Sequence, residues 1–305
     1  MAAAVTVTDR QPTKKTQSPF RQVVKRVLGY PGARIAVVFI FVLVVVAVLA
    51  PFMGLDSLTQ DVANRLQPPS GEHWFGTDEL GRDIMARTIQ GARTSLFSAA
   101  GAVVIAASFG VPIGLIAGFY GGWRDAILMR VIDVMLALPA ILFAMALIAV
   151  LGRSQITALI AVGVVGIPSF ARITRAQVLS LKNREYVTAV EALGGSSVYS
   201  MFRTVLPNSW SPILVQIVIL SSVAILLEAA LAFLGLGVPP PTPSWGEMLR
   251  TGKSFLRDAP HYAVLPGVIL TCTILCLDTL GRTLARVLED RNEFGAETEM
   301  EAGVA

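Results

Sequence analysis

Long apolar runs that no charged residue interrupts constrain this chain more than anything else in it. Residues 35–53, 95–119, 134–151 and 156–170 contain no Asp, Glu, Lys or Arg. Two further runs, 213–236 and 264–280, hold one acid each, Glu228 and Asp278. A stretch of about 20 such residues is the length an α-helix needs to cross a bilayer, and in lipid every backbone N–H and C=O must be satisfied within the segment. The runs therefore read as six membrane-crossing helices, and the fold class is an all-α integral membrane protein. Composition agrees, since 54% of residues are hydrophobic and 15% charged, against about 25% charged in soluble domains.

Basic residues set the expected orientation. The first 33 residues carry Arg10, Lys14, Lys15, Arg21, Lys25 and Arg26 against a lone Asp9, with Arg34 just beyond. The loop after the fourth run holds Arg172, Arg175, Lys182, Arg184 and Arg203. With six spans both segments lie on one side, and the excess of Lys and Arg makes it the cytoplasm. Both termini are then cytoplasmic, and the long loop 54–94 is external. Residues 1–33 are expected to be a polar, largely disordered tail with a short amphipathic turn near residues 20–28. No cleavable signal peptide is evident, because the first run lacks a small-residue cleavage site and is long enough to stay in the membrane.

Within the spans, Gly110, Gly114 and Gly118 recur every fourth residue, the spacing that lets helix backbones approach closely in lipid. Arg130 and Asp133 lie one turn apart and are expected to pair. The fourth run reads as short and broken by Gly166 and Pro168. Cys272 and Cys276 sit at helical spacing in an apolar run and read as small core residues. His73 and His261 are the only histidines, without ligands at metal spacing, so no metal site is expected. Gly246, Gly252, Lys253 and Ser254 approach a phosphate-binding loop. Five residues separate the glycines where four are required, and no strand precedes them.

Three segments carry the functional signal. Between the fourth and fifth runs, Tyr186, Val187, Val190 and Leu193 recur at helical spacing up to the pair Gly194-Gly195. Gly194 suits a left-handed C-cap, Ser196 or Ser197 a following N-cap, and Pro207 a stop before the next span. The result is a helix–turn–helix whose apolar stripe must be covered, either by the chain's own spans or by another protein. The external block Phe75-Gly76-Thr77-Asp78, Gly81-Arg82-Asp83 and Arg87 reads as a polar turn leading into a short surface helix, with Asp78 or Asp83 accepting from Arg82 or Arg87. Glu228 lies deep in the fifth run, where an unpaired charge costs about 3 kcal/mol. It must line a path, carry a proton or meet a polar group on a neighbouring helix. Asp278 reads as a snorkelling or paired residue.

These segments resemble the permease subunits of ABC importers. The family's coupling loop reads Glu-Ala-Ala, three residues, Gly, nine residues, Ile, one residue, Leu-Pro. Aligned on Gly194 and Leu206-Pro207, this chain has Thr188, Ala189 and Val190 in the first three positions and Thr204 at the Ile. The family's leading Glu is thus replaced by Thr188, and its polar contact does not carry over. The block from Gly76 to Asp83 resembles the segment before the second span in peptide- and nickel-type permeases. Residues 228–237 with Ser244-Trp245-Gly246-Glu247 resemble the segment after the fifth span. Together they point to the C-type partner of the paired di/oligopeptide permeases, over about residues 20–291.

The resemblance implies a type I importer transmembrane domain over 95–291 with its coupling loop at 180–210. It is preceded by a basic tail (1–33) and an N-terminal span with external loop (34–94), and followed by an acidic cytoplasmic tail (292–305). It further implies that Tyr186, Thr188, Ala189, Val190, Ala192, Leu193, Gly194, Leu206 and Pro207 form the handle for an ATPase. Gly76, Thr77, Asp78, Gly81, Arg82, Asp83, Trp245 and Gly246 mark the family's external face, and Glu228 is the candidate of the translocation pathway. Partners implied are a homologous second permease in a heterodimer, two ABC ATPases that hold the ATP and magnesium, and an extracytoplasmic solute-binding protein. The chain itself would be no enzyme, would bind no nucleic acid, and would sit in a bacterial inner membrane. An ion-gradient-driven transporter or channel, or a membrane enzyme, would fit six spans too. Neither would need a partner-facing elbow, and the sequence has no Ser/His/Asp set or metal cluster for an enzyme.

Overall fold

A computed structural model describes residues 19–303, with the side chains of 21–190 and 192–290. Among these residues all regular elements are helical, apart from one isolated antiparallel bridge, Thr77 to Asp83. In chain order they are α1 (Pro19–Val27), α2 (Pro31–Leu49), α3 (Ile84–Tyr120), α4 (Gly122–Ala137), α5 (Ala140–Leu151), α6 (Gln155–Leu181) and α7 (Glu185–Ala192). They continue with α8 (Ser197–Tyr199), α9 (Leu206–Asn208), α10 (Trp210–Phe233), α11 (Trp245–Gly252) and α12 (His261–Gly303). Five of these are long and apolar enough to cross a bilayer: α2, α3, α6, α10 and α12.

In place of the straight span expected over 134–151 there is a bent pair of helices. α4 and α5 meet at 93°. The break falls at Leu138-Pro139, where Leu138 is extended (φ −90°, ψ 135°). Proline clashes with a helical residue before it, so the sequence itself forces the kink. Asp133 does not pair with Arg130; its carboxylate accepts from Arg172 of α6 at 2.8 Å, because α4 packs beside α6 and brings that guanidinium closer.

Three other expectations change. The external block does not lead into a separate surface helix. Asp83 caps the first turn of α3 by accepting from the Ala86 N–H at 2.8 Å, and the helix then runs unbroken for 37 residues through the second span. The fourth span is not short: α6 passes through Gly166 and Pro168 for 27 residues. Proline removes one backbone bond, but the helix continues through it and is the most enclosed of the spans. The last helix extends far beyond residue 280, α12 ending at Gly303, with its candidate span running to Asp290. The amphipathic turn near residues 20–28 is α1, packed on α12. The disorder expected of the N-terminal tail falls, for residues 1–18, outside the described residues.

The centre of the molecule is the pairing of α3 with α6, the most extensive between any two helices. Gly110, Gly114 and Gly118 form its seam. A Cβ at Gly110 would meet Ile167 O at 2.6 Å, one at Gly114 would meet Thr174 Cβ at 2.8 Å, and one at Gly118 would meet Val178 Cβ at 2.8 Å. The bare backbone lets the helices touch, and packing is what drives association where lipid is as apolar as the side chains. α10 and α12 close the bundle around Ile148, Ala158, Ile225, Leu231 and Trp245. α2 lies at the edge, against α12 and α3, with Val38, Phe41 and Val42 exposed.

Candidate functional site

At one end of the bundle α6 gives way to an elbow, residues 185–208, before α10 begins. α7 ends in the manner the sequence indicates. Gly194 has φ +85°, and the Gly195 N–H donates to Val190 O at 2.9 Å, closing the last turn. A left-handed residue bonded in this way is a Schellman-type end. Gly195 is needed for a different reason, since a Cβ there would lie 2.6 Å from Val190 Cγ1. Ser196 then caps the next helix, its hydroxyl accepting from the Tyr199 N–H at 3.2 Å.

The apolar stripe of α7 is divided. Val187 is fully buried against Leu115, Val178, Met201 and Val205, which fixes α7 to the ends of α3 and α6. Tyr186 is 40% exposed and Leu193 89% exposed, and Thr188, Ala189 and Ala192 also face outward. The chain's own spans cover one edge of the stripe and leave the other bare. Pro207 does not stop the second arm. The backbone passes from a π-helical run, Ser200–Val205, into α9, whose first turn holds Pro207 where its missing N–H is not needed. The break comes at Ser209, whose hydroxyl donates to Val205 O at 2.9 Å.

Beneath the elbow, charges tie the helices together. Arg175 of α6 donates twice to Asp125 of α4, both at 2.6 Å, and Lys182 donates to Gly118 O at 3.2 Å. Sequence spacing gave no sign of the first pair, whose members are 50 residues apart.

At the opposite end a buried knot of charge joins the long loop to α3, α11 and α12. Asp78 is fully buried and pairs with Arg82 at 2.6 Å and with Arg87 at 3.3 Å. Its other oxygen accepts from the backbone N–H groups of Leu80 and Arg82. Arg82 also donates to Glu79 at 3.0 Å, and Arg87 reaches Glu247 of α11 at 3.5 Å and Ser57 O at 3.3 Å. Of the two acids left open by the sequence, Asp78 takes the arginines. Asp83 caps α3 and meets His73 Nδ1 at 2.8 Å. Thr77 supports the turn by accepting from the Gln67 N–H at 2.9 Å and donating to Asn64 O. Gly81 (φ +75°) lies so close to Asp61 O that no side chain fits. Gly76 and Gly246 allow similar approaches, to His261 and to Ala229. The indole N–H of Trp245, itself fully buried, donates to Thr88 O at 3.0 Å.

Sequence reading missed Glu79 and Glu247 as members of this knot, for no local pattern links them to Asp78. Nearby on the surface, the Thr59 hydroxyl and the N–H groups of Thr59 and Leu58 hold the Asp56 carboxyl below its usual range. Among the described residues no three His, Cys, Asp or Glu side chains gather as a metal site requires. Both cysteines are free thiols. The phosphate-loop near miss is the end of α11 running into a short 3-10 turn, Lys253–Phe255.

Glu228 is 2% exposed and packs between α10 and α3, where one carboxylate oxygen accepts from the Ser95 hydroxyl at 3.0 Å. Of the three roles open to it, the structure shows a polar contact with a neighbouring helix. Removing that donor leaves a buried acceptor bare, so Ser95→Ala is expected to cost about 1–2 kcal/mol. Thermal unfolding of the purified variant measures it, and Ser95→Thr should recover most of the loss. Asp278 is paired within its own helix, accepting from Arg282 at 2.7 Å.

Comparison with known proteins places this geometry. The family model described as binding-protein-dependent transport system inner membrane component matches residues 110–293, and that of the N-terminal TM domain of oligopeptide transport permease C matches 18–69. The chain is 41% identical over 275 residues to a dipeptide transport system permease protein, DppC, of Alkalihalophilus pseudofirmus, covering 90% of each chain. It is 38% identical over 280 residues to the oligopeptide transport system permease protein OppC of Bacillus subtilis, covering 92% of each. With a glutathione transport system permease protein, GsiD, of Pectobacterium atrosepticum it shares 36% over 280 residues, 91% of this chain and 93% of the relative. A helical bundle with five helices long and apolar enough to cross a bilayer and a bent sixth pair, a glycine-capped elbow at one end and these relatives along nine-tenths of its length leave one assignment: the chain belongs to the family of binding-protein-dependent transport system inner membrane components, the membrane permeases of ABC importers.

Proposed function

We propose that this chain is one of two paired permease subunits of an ATP-driven importer for di- or oligopeptides. Both termini and the elbow are cytoplasmic, and the knot around Asp78 faces outward toward a solute-binding protein. ATP and magnesium are held by two separate ATPase subunits, each seated on one permease's elbow. In this chain the contact is made by Tyr186, Thr188, Ala189, Ala192 and Leu193, with Val190, Leu206 and Pro207 shaping the surface behind them. Glu228, bonded to Ser95 between α10 and α3, is the candidate residue of the translocation pathway. The gradient-driven and enzymatic readings are set aside, since the family is one of importer permeases. Peptides are favoured over nickel chelates by the relatives, which are dipeptide, oligopeptide and glutathione transport permeases.

The observation that carries the reading is the divided stripe: Val187 anchors α7 to the spans while Leu193, at its tip, stands almost wholly exposed. A motor pulling on the exposed edge moves α3 and α6 through the buried one. Gly194→Val tests it. A β-branched residue at φ +85° is strained by about 1–3 kcal/mol, which shifts the equilibrium away from the native elbow about fivefold or more. A Cβ at Gly194 meets nothing within 4 Å, so insertion into the membrane is expected to persist. Peptide uptake and peptide-stimulated ATP hydrolysis by the assembled importer should collapse, while Gly194→Asn, which tolerates the left-handed region, keeps both. Full uptake by the valine variant would overturn the coupling role.

A further inference from the structure

The first span leaves a slot beside it. Where α2 leans on α3 and α12, Val42 and Val46 on one side face Met85 and Ile89 on the other, with Ile269 behind, around a cavity of about 400 Å³. That volume falls within the roughly 300–1,000 Å³ of small-molecule sites. Its walls offer almost no hydrogen bonds. Thr88 is lined along it, but its hydroxyl donates to Ile84 O at 2.7 Å, inside its own helix. Water needs two to four polar partners and finds none here. A peptide would leave its N–H and C=O groups unsatisfied, and an α-helix, about 10–12 Å across with its side chains, is too thick for the space.

The mouth differs from the walls. Trp74, 69% exposed, stands at the rim, and beyond it and Met85 a second cavity of about 360 Å³ opens among Asp56, Glu72, His73 and Asp83. An apolar slot thus runs into a polar chamber past a tryptophan, the residue that settles at the boundary of hydrocarbon and headgroups. The slot is also continuous with the exposed, lipid-facing flank of α2 at Val42 and Val38.

We propose that this is a binding site for a membrane phospholipid with an ammonium-bearing head group, one acyl chain filling the slot beside α2 and α3 and the ammonium of the head lying among Asp56, Glu72 and Asp83. The inference rests only on the membrane setting of these helices, not on the identity of the transported solute. The bound chain completes the packing of α2 against the bundle, which the protein's own side chains leave unfinished.

Native mass spectrometry of the full chain, purified with its co-expressed partner subunits and supplied with phosphatidylethanolamine, tests this. The wild type is expected to retain the lipid through detergent exchange. Val42→Trp, which fills the slot from a half-exposed position, should lose it, and Val46→Phe, one turn on, should do the same. Val38→Trp, on the exposed flank outside the slot, should retain it. Failure of the wild type to hold lipid, retention by both slot variants, or a protein segment found in the slot instead would overturn the proposal. Peptide uptake is measured in parallel, so that loss of lipid with uptake intact separates this site from the transport mechanism.

Discussion

Replacing Gly114 by leucine is expected to separate α3 from α6 and to destabilise the chain by about 3–5 kcal/mol, at the upper end of single substitutions. The reason lies in what the new side chain would meet. A Cβ at Gly114 falls well inside contact with Ala171 O and lies 2.9 Å from Arg175 N, both backbone atoms of the facing helix. Backbone cannot step aside without moving the whole helix, so the interface must open along its length. Gly101 provides the contrast. Its nearest obstacle is the end of the Leu159 side chain, which can turn away, so Gly101→Ala should cost far less. Thermal unfolding and protease sensitivity of the two variants in the same detergent compare them directly. Equal stability would mean the glycine seam does not hold the bundle.

The second large effect is expected at Asp78. Changing it to asparagine keeps an oxygen for the N–H groups of Leu80 and Arg82 but removes the charge that Arg82 and Arg87 share. Stripping one partner from a buried ionic group costs about 3–5 kcal/mol, because the remaining charges stay desolvated. Glu79 and Glu247 still meet the two arginines, which puts the expected loss near the lower figure. The loop 54–83 should loosen from α11, seen as new protease cleavage at that end. Adding Arg87→Met to Asp78→Asn should cost less than the sum of the two single changes, since the second removes a charge the first has orphaned. Additive losses would argue against a shared knot.

How much of this could be read from residues alone follows from the range of the forces involved. The spans were legible because lipid imposes a local rule on every residue that enters it. The elbow was legible for a similar reason: the left-handed turn at Gly194 and the cap at Ser196 are bonds between neighbours in sequence. Helix ends were less so. Arg172 and Arg175 made α6 look finished at residue 170, yet each is carried within the helix by a carboxylate from α4. The kink at Leu138-Pro139 was overlooked although its cause is local, because hydropathy does not register it. The glycine seam was visible as a spacing, but its partner helix was not.

Sequence by itself determined that the chain lives in lipid, roughly where it crosses, and the glycine turn and serine cap of its elbow, since solvent, turn and cap each act within a few residues. Only the tertiary structure decided that Asp78 and not Asp83 takes the arginines, that Glu228 leans on Ser95, that Val187 faces in while Leu193 faces out, and that an apolar cavity opens beside α2 and α3. Those outcomes depend on which of several chemically suitable partners, tens to hundreds of residues away, packing brings within about 3 Å.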